Sequence, residues 1–263
     1  LDLVIFDIQD VGARFYTYIS SLHYVMEACA EQNIPVLVLD RPNPNGHYID
    51  GPILEAEHSF VGMHPVPVVH GMTIGEYGQM INGEEWLKNG IQCEFTVIPN
   101  KNYTHQTAYN LPIKPSPNLP NAKAINLYPS LCFFEGTNVS VGRGTDKQFQ
   151  IYGSPFLPVR NFSFIPHPNV GSKNPKHENK VCYGYDLSQA ETLNNLHLDY
   201  LIGAYASTSN KLDFFKPFFT KLAGTTKLQE QIENGFTSKQ IKASWTRGLE
   251  AYDTMRKAYL IYN

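Results

Sequence analysis

The chain has 263 residues, of which 42% are hydrophobic and 17% are charged, and its formal net charge is -3. This length suits one large domain or two modest ones. The composition is that of a folded globular protein and excludes a largely disordered chain. The slight acidic balance excludes a general nucleic-acid binder, which needs a basic face. No apolar run approaches the length of a membrane span, and no signal peptide is visible.

The first half of the chain predicts a β-α-β unit. The apolar run LVIFDI predicts a strand buried on both faces, and IPVLVLD predicts a second strand. Between them, residues 15–33 have the apolar spacing of a helix. A strand, a helix and a strand in this order predict a parallel pair with a right-handed crossover.

The pattern continues with a helix over residues 72–90, for which Thr73 and Glu76 form a predicted capping box. A third strand is predicted in CEFTVIP. The proline-rich stretch 111–125 is predicted to be irregular. Because the first strand begins almost at Leu1, the sequence predicts that the natural protein starts upstream of this residue.

The second half differs in character. Residues 162–168 and 180–188 predict short strands, and residues 191–209 and 237–262 predict helices, the last one capped by Ser238. The predicted fold class is therefore α/β, a Rossmann-like parallel sheet with a smaller α+β auxiliary domain. The predicted domains are residues 1–145 and 146–263, the second ending in a long helix.

Four polar clusters are candidates for chemistry, and three of them are predicted to lie at the carboxyl ends of strands, where open parallel sheets bind ligands. Each has an alternative reading. In these alternatives, Asp10 only caps the next helix, and Asp40 and Arg41 only form an internal ion pair. Likewise, RPNPNG is a plain turn and His70 has a structural role. The clusters comprise Asp7, Asp10 and Arg14; Asp40, Arg41 and Asn43; the loop EGTNVSVGRGT after the apolar run LCFF; and His70 before a helix.

The loop EGTNVSVGRGT is not a phosphate-binding loop, because the run GRGTD lacks the lysine that such a loop requires. A dinucleotide site is also excluded, since no GxGxxG follows the first strand. Neutral hydrogen-bonding side chains around Glu135 suit a carbohydrate, and Arg143 suits a carboxylate on that ligand. Glycosidases need a pair of acidic groups, which Glu135, Asp7 and Asp10 supply. The alternative is that Glu135 only anchors its own loop.

Long motifs across nearly the whole chain resemble the NamZ-like exo-β-N-acetylmuramidases, a family long known only as a domain of unknown function. The motifs are FDIQDVGARFYTYISSLHYVMEA, LDRPNPNGHYIDGPIL, PVVHGMTIGEY, PSPNLP, YPSLCFFEGTNVSVGRGT, NPKHENKVCYGYDL and SWTRGLEAYDTMRKAYLIY. The resemblance implies a Rossmann-like domain and an auxiliary domain with the active site in the cleft between them. It also implies an exo-acting hydrolase that releases N-acetylmuramic acid from the non-reducing ends of peptidoglycan fragments, in cell wall recycling.

Peptidoglycan fragments or muropeptides are thus the expected partners, and a periplasmic or cell-surface location is expected. Neither a metal nor a cofactor is predicted, and the oligomeric state is left open. The four cysteines lie too far apart for a CxxC pair and are predicted to be small buried hydrophobes. The resemblance implies that Arg143, Arg41 or Arg14 binds the lactyl carboxylate of N-acetylmuramic acid.

One departure from the family is visible. The family carries an earlier Gly-Pro-Glu-His-Gly run with its favoured catalytic glutamate, and this chain has none. We therefore expect the chain to begin after that run, with an exposed sheet edge or a strand supplied there by a neighbouring chain. The alternatives are a non-catalytic module that binds the cell wall, and an α/β enzyme for another small anion. Within this chain the predicted catalytic residues are Glu135 and Asp10, and the predicted substrate-binding residues are Asp7, Arg14, Asp40, Arg41, Asn43, His70, Asn118, Thr137, Asn138, Ser140 and Arg143.

Overall fold

The computed structural model describes residues 1–262, which fall into two compact units. Unit 1 comprises residues 1–54, 58–109 and 247–262, and unit 2 comprises residues 55–57 and 110–246. The boundary predicted at residue 145 thus lies inside unit 2. The C-terminal segment, predicted with the second domain, belongs to unit 1 because Tyr252 is part of the hydrophobic core of that unit. The Tyr252 hydroxyl also donates a hydrogen bond of 2.7 Å to the carbonyl of His70.

Unit 1 is built on a parallel sheet. Its strands β1 (Val4–Phe6), β2 (Val36–Leu39) and β3 (Phe95–Ile98) pair in chain order. Helix α1 (Tyr18–Glu31) connects the first two strands, and α2 (Ile74–Gly83) lies between the second and the third. This arrangement confirms the predicted α/β class and the parallel β-α-β unit.

One face of the sheet is packed and the other is open. Val36 and Val38 of β2 lie in a core with Leu22 and Met26 of α1. Alternate side chains point away from this core, and Ile5 of β1 is 57% exposed. The prediction that the first strand is buried on both faces is therefore wrong. Strand β1 lies at the edge of the sheet. Among residues 1–262, helices pack against only one face of this sheet.

The predicted capping box of α2 is confirmed. Thr73 Oγ1 accepts a hydrogen bond from the Glu76 amide, and Glu76 Oε2 accepts one from the Thr73 amide. Glu76 is fully buried, and its Oε1 accepts further hydrogen bonds from His105 Nε2 and from the amides of Ile261 and Tyr262. The Glu76 carboxylate thus caps the start of α2 and also anchors the C-terminal segment.

We expect Glu76→Ala to lower the free energy of unfolding by about 3 kcal/mol, because it leaves several buried donors without an acceptor. Urea denaturation of the variant measures the change. The control is Glu31→Ala at the exposed end of α1, for which a change within about 0.5 kcal/mol is expected. Equal stability of the two variants would contradict the anchoring role of Glu76.

Unit 2 contains an antiparallel sheet in the order β4-β6-β5, formed by β4 (Ile151–Ser154), β5 (Ser163–Phe164) and β6 (Cys182–Asp186). Strands β5 and β6 confirm the predicted short strands, whereas β4 was not predicted. The helices of the second half of the chain are α3 (Ala122–Leu131), α4 (Asp199–Ser207), α5 (Phe218–Ala223), α6 (Lys227–Glu233), α7 (Ser238–Ala243) and α8 (Thr246–Arg256).

Two helix starts differ from the prediction. Helix α3 begins inside the stretch predicted to be irregular, because Asn121 Oδ1 accepts a hydrogen bond from the Ala124 amide and caps the helix. Helix α4 begins eight residues later than the predicted start at residue 191. In the preceding segment the amides of Leu193 and His197 are bonded instead to side chains of α3, those of Asn126 and Ser130.

The C-terminal stretch forms α7 and α8 rather than the predicted long helix. Thr237, and not Ser238, is the N-cap of α7, since Thr237 Oγ1 accepts a hydrogen bond from the Gln240 amide. At the end of α7, Ser244 Oγ donates to the carbonyl of Ile241. Hydroxyl groups that bond to the main chain in this way favour helix ends over helix interiors.

Within residues 1–262, no helix combines the length and the apolar character that a membrane span requires. All four cysteines are buried and free, which confirms their prediction as small hydrophobes.

Candidate functional site

Three of the four predicted polar clusters meet in unit 1. The loop after β1 contacts the loop after β2, because Asn45 Nδ2 donates to the carbonyl of Val11 at 2.9 Å. The loop after β2 in turn contacts the segment before α2, through Asn43 Nδ2 and the carbonyl of Met72 at 2.8 Å. The carboxyl ends of these strands and the start of α2 therefore form one hydrogen-bonded cluster.

A glycine permits the close approach of these loops. Gly12 has a φ of +77°, and a Cβ atom on it would lie 2.3 Å from Asn43 Oδ1. Both the left-handed backbone and the lack of space therefore require glycine at this position.

Asp10 and His70 form a buried pair within this cluster. Asp10 Oδ2 accepts a hydrogen bond of 2.6 Å from the Gly12 amide and lies 3.4 Å from His70 Nε2. Asp10 Oδ1 and His70 Nε2 have no hydrogen-bond partner, although both are buried. Buried polar atoms without a partner are rare and call for an explanation. Asp10 does not cap α1, whose N-cap is Thr17, so that alternative is wrong.

Arg14 is fully buried. Its Nη1 donates to the carbonyls of Pro52 and Val66, at 2.9 and 2.7 Å. Burial lowers the pKa of Arg14 to about 10. The buried Arg14 guanidinium therefore supports the main chain of unit 1 and is not accessible to a ligand. Of the three arginines predicted for the site, Arg41 and Arg143 remain accessible.

Asp40 and Arg41 point to different partners. Arg41 pairs with Asp7 at 2.6 Å, and both side chains are exposed. Asp40 is buried and accepts hydrogen bonds from the Gly75 amide and the Tyr262 hydroxyl. Burial raises the pKa of the Asp40 carboxyl. The alternative of an Asp40–Arg41 ion pair is therefore wrong, and Asp40 instead supports the start of α2.

The fourth cluster lies in unit 2 and contains Glu135. It begins inside a 3-10 turn at Cys132–Gly136 that follows α3. The prediction of a strand before this cluster is wrong, because the apolar run LCFF is helical. Glu135 Oε2 lies 2.6 Å from Arg143 Nη2, and both side chains are partly exposed. This pair presents an acid and a guanidinium together at the surface of unit 2.

The other polar side chains of this loop point inward. Thr137 Oγ1 donates to the carbonyl of Phe134, and Ser140 Oγ accepts from the Gly142 amide. Asn138 is buried as well, with Oδ1 unpaired. Elsewhere in unit 2, Asn118 Nδ2 donates to the carbonyl of Gly171. These side chains shape the main chain, and Glu135 and Arg143 are the more exposed of the loop residues predicted for the site.

Two residues that were not singled out from the sequence contact the same loop. Lys176 and His177 donate to its main-chain carbonyls. Both lie in the polar run NPKHENK, which is part of a motif that carries the family resemblance. This run is the sequence signal that could have identified them.

A cavity of about 440 Å³ in unit 1 is lined by residues that include His47, His105 and Arg256, but by none of the predicted site residues. Among residues 1–262, no three His, Cys, Asp or Glu side chains are placed to hold a metal ion.

The fold and these clusters define an α/β protein that presents a paired carboxylate and guanidinium on unit 2. Two family profiles match the chain in succession. They are the N-terminal domain of exo-beta-N-acetylmuramidase NamZ over residues 1–123 and the C-terminal domain over residues 126–262. The chain therefore belongs to the NamZ family.

Similar proteins agree with this assignment. The peptidoglycan beta-N-acetylmuramidase NamZ of Bacillus subtilis (strain 168) is 37% identical over 294 aligned residues, which cover 100% of this chain and 68% of the relative. A crystal structure of a DUF1343 family protein from Bacteroides fragilis NCTC 9343 is 53% identical, with a TM-score of 0.97 over 100% of this chain and 76% of that one. A second such protein from the same organism, 22% identical with a TM-score of 0.77, has the same fold over 100% of this chain and 75% of its own.

Proposed function

We propose that this protein is an exo-acting glycoside hydrolase that releases N-acetylmuramic acid from the non-reducing ends of peptidoglycan fragments. The observation that carries the proposal is the Glu135–Arg143 pair, which presents a carboxylate and a guanidinium at the surface of unit 2. Membership in the NamZ family and the 37% identity to a peptidoglycan β-N-acetylmuramidase support the substrate class. The proposal places the enzyme in the periplasm or at the cell surface.

In this proposal Arg143 binds the lactyl carboxylate that distinguishes N-acetylmuramic acid from N-acetylglucosamine. A planar guanidinium binds a carboxylate through two parallel hydrogen bonds. The same group already holds Glu135 Oε2, so the substrate carboxylate competes for it and frees a Glu135 oxygen next to the bound sugar. Glu135 then serves as the acid or base that moves a proton at the glycosidic bond.

We expect Arg143→Met to raise the Kd for N-acetylmuramic acid by about 10–100-fold, since a hydrogen-bonded charge contributes about 1.5–3 kcal/mol. The Kd for N-acetylglucosamine should stay the same, because this sugar lacks the carboxylate. Calorimetry with both sugars measures the two constants, and Arg160→Met in the same unit is the control. An equal loss of affinity for both sugars would remove Arg143 from carboxylate recognition.

The proposed function is tested by incubating the complete natural protein with peptidoglycan fragments of defined ends and identifying the products by mass spectrometry. The expected product is free N-acetylmuramic acid, released only from fragments that carry it at the non-reducing end. Saturable binding without release would support the cell-wall binding module instead. Release of other sugars would contradict the proposed specificity.

A further inference from the structure

We propose that Lys176 is a positioning residue, which fixes the Glu135 carboxylate by holding the main chain of residues 134–139. The inference rests on the proposed function, in which Glu135 acts on the glycosidic bond.

The ammonium group of Lys176 lies among the carbonyl oxygens of this loop. Its Nζ is 2.9 Å from the carbonyl oxygen of Phe134, 2.5 Å from that of Thr137 and 3.0 Å from that of Val139. The carbonyl oxygen of Glu135 itself is 3.4 Å away. An ammonium has three N–H donors and no acceptor, so the four carbonyls account for all of its donors.

Groups from outside the loop bind its remaining two carbonyls. The carbonyl of Gly136 accepts a hydrogen bond of 2.9 Å from the Lys216 amide. That of Asn138 accepts from His177 Nε2 at 2.6 Å and from Ser154 Oγ at 2.9 Å. Every main-chain carbonyl from residue 134 to residue 139 is therefore bonded, and Lys176 alone contacts four of the six.

This arrangement carries an energetic penalty. Burial lowers the pKa of Lys176 to about 8, and the charged or titratable groups that face it are Glu135, Arg143, Lys216 and Cys132. The next residue, His177, has a φ of +60°, in the left-handed region that residues other than glycine seldom adopt. A half-buried ammonium group and a residue with a strained backbone both cost free energy. Such features are commonly found at functional sites.

The contacts favour positioning over direct catalysis. The donors of Lys176 point to carbonyl oxygens, which leaves none for a substrate. Among residues 1–262, in contrast, the Glu135 side chain is paired with Arg143 alone, and a partly exposed ion pair contributes little to stability. The place of the Glu135 carboxylate is therefore set chiefly by its main chain, which Lys176 holds.

The test compares Lys176→Met, which keeps most of the unbranched side chain and removes the ammonium group, with Lys180→Met at an exposed position nearby. For Lys176→Met we expect kcat on a chromogenic β-N-acetylmuramide to fall about 10²-fold, as for a displaced catalytic group, with KM within about twofold. Amide hydrogen exchange over residues 134–140 should become at least about tenfold faster. Lys180→Met should match the natural protein in both measurements.

Two further variants keep the test decisive if Lys176→Met does not fold. Lys176→Arg keeps the charge, but a planar guanidinium does not meet four carbonyls as an ammonium does, so we expect kcat to fall about tenfold. Lys176→Ala should regain activity when propylammonium, the probe used, fills the vacated space.

Natural kcat in Lys176→Arg, or unchanged hydrogen exchange in a folded Lys176→Met, would overturn the positioning role. If the natural protein releases no sugar, the proposed function fails. The hydrogen-exchange comparison needs no activity, so it separates that failure from a failure of the Lys176 inference.

Discussion

Glu135→Gln is expected to lower kcat for N-acetylmuramide hydrolysis by about 10²–10⁴-fold in the complete natural protein, which is the usual contribution of an acid or base that moves a proton. The substitution keeps the size and planarity of the side chain, and an amide oxygen still accepts a hydrogen bond from Arg143, 2.6 Å away. The carboxylate, however, is lost. Because the main-chain contacts of the loop do not involve this side chain, the variant should unfold at the same urea concentration as the natural protein.

Steady-state kinetics on a chromogenic β-N-acetylmuramide provide the measurement. Glu191→Gln, at an exposed position of the same unit, is the matched control and should retain full activity. Turnover in Glu135→Gln within threefold of the natural value would remove Glu135 from the mechanism and leave Asp10 as the other predicted catalytic residue.

Gly136→Ala is expected to destabilise unit 2 by about 3 kcal/mol, at the upper end of the range for overpacking. A Cβ atom at Gly136 would lie 2.5 Å from the Cα of Phe219 and 2.7 Å from its amide nitrogen. These are main-chain atoms at the start of α5, so no side-chain rotation relieves the clash. The neighbouring Glu135 should be displaced, and activity should fall together with stability.

Gly203→Ala is the matched control for this prediction. Gly203 lies inside α4, and no atom lies within 4 Å of the position that a Cβ would occupy. The same change of side chain should therefore stabilise the protein by about 0.5–1 kcal/mol, since alanine favours a helix more than glycine does. Thermal unfolding of both variants measures the difference, and a loss of stability in both would contradict the packing explanation.

Local patterns were sufficient to predict much of unit 1. The strands β1 to β3 are short apolar runs, α1 has helical apolar spacing, and the Thr73–Glu76 pair begins α2 as predicted. In each case the signal lies within a few residues of the structure that it specifies. Elements whose ends depend on distant partners were predicted less well. The segment before α4 is not helical because side chains of α3 bind its amides, and no local pattern reports such contacts.

The candidate site, like the fold, was predicted where the signal is local and missed where it depends on distant contacts. Residue types singled out the clusters around Asp10 and Glu135, but the strand predicted before Glu135 is helical, and the sequence did not give the partners of each side chain. Arg14 and Arg41 look alike in the sequence, yet the first is fully buried and the second is exposed. Lys176 was missed because its contacts are to carbonyl oxygens some 40 residues earlier in the chain. Every residue carries a main-chain carbonyl, so the sequence does not distinguish those that bind Lys176.

The measurement that tests the central claim most directly is chromophore release by the complete natural protein from a chromogenic β-N-acetylmuramide, run beside the matching N-acetylglucosaminide. The proposal predicts release from the muramide alone, with loss of that activity in Glu135→Gln. Equal cleavage of both substrates, or cleavage of neither, would contradict the proposal that this NamZ family member is an exo-β-N-acetylmuramidase.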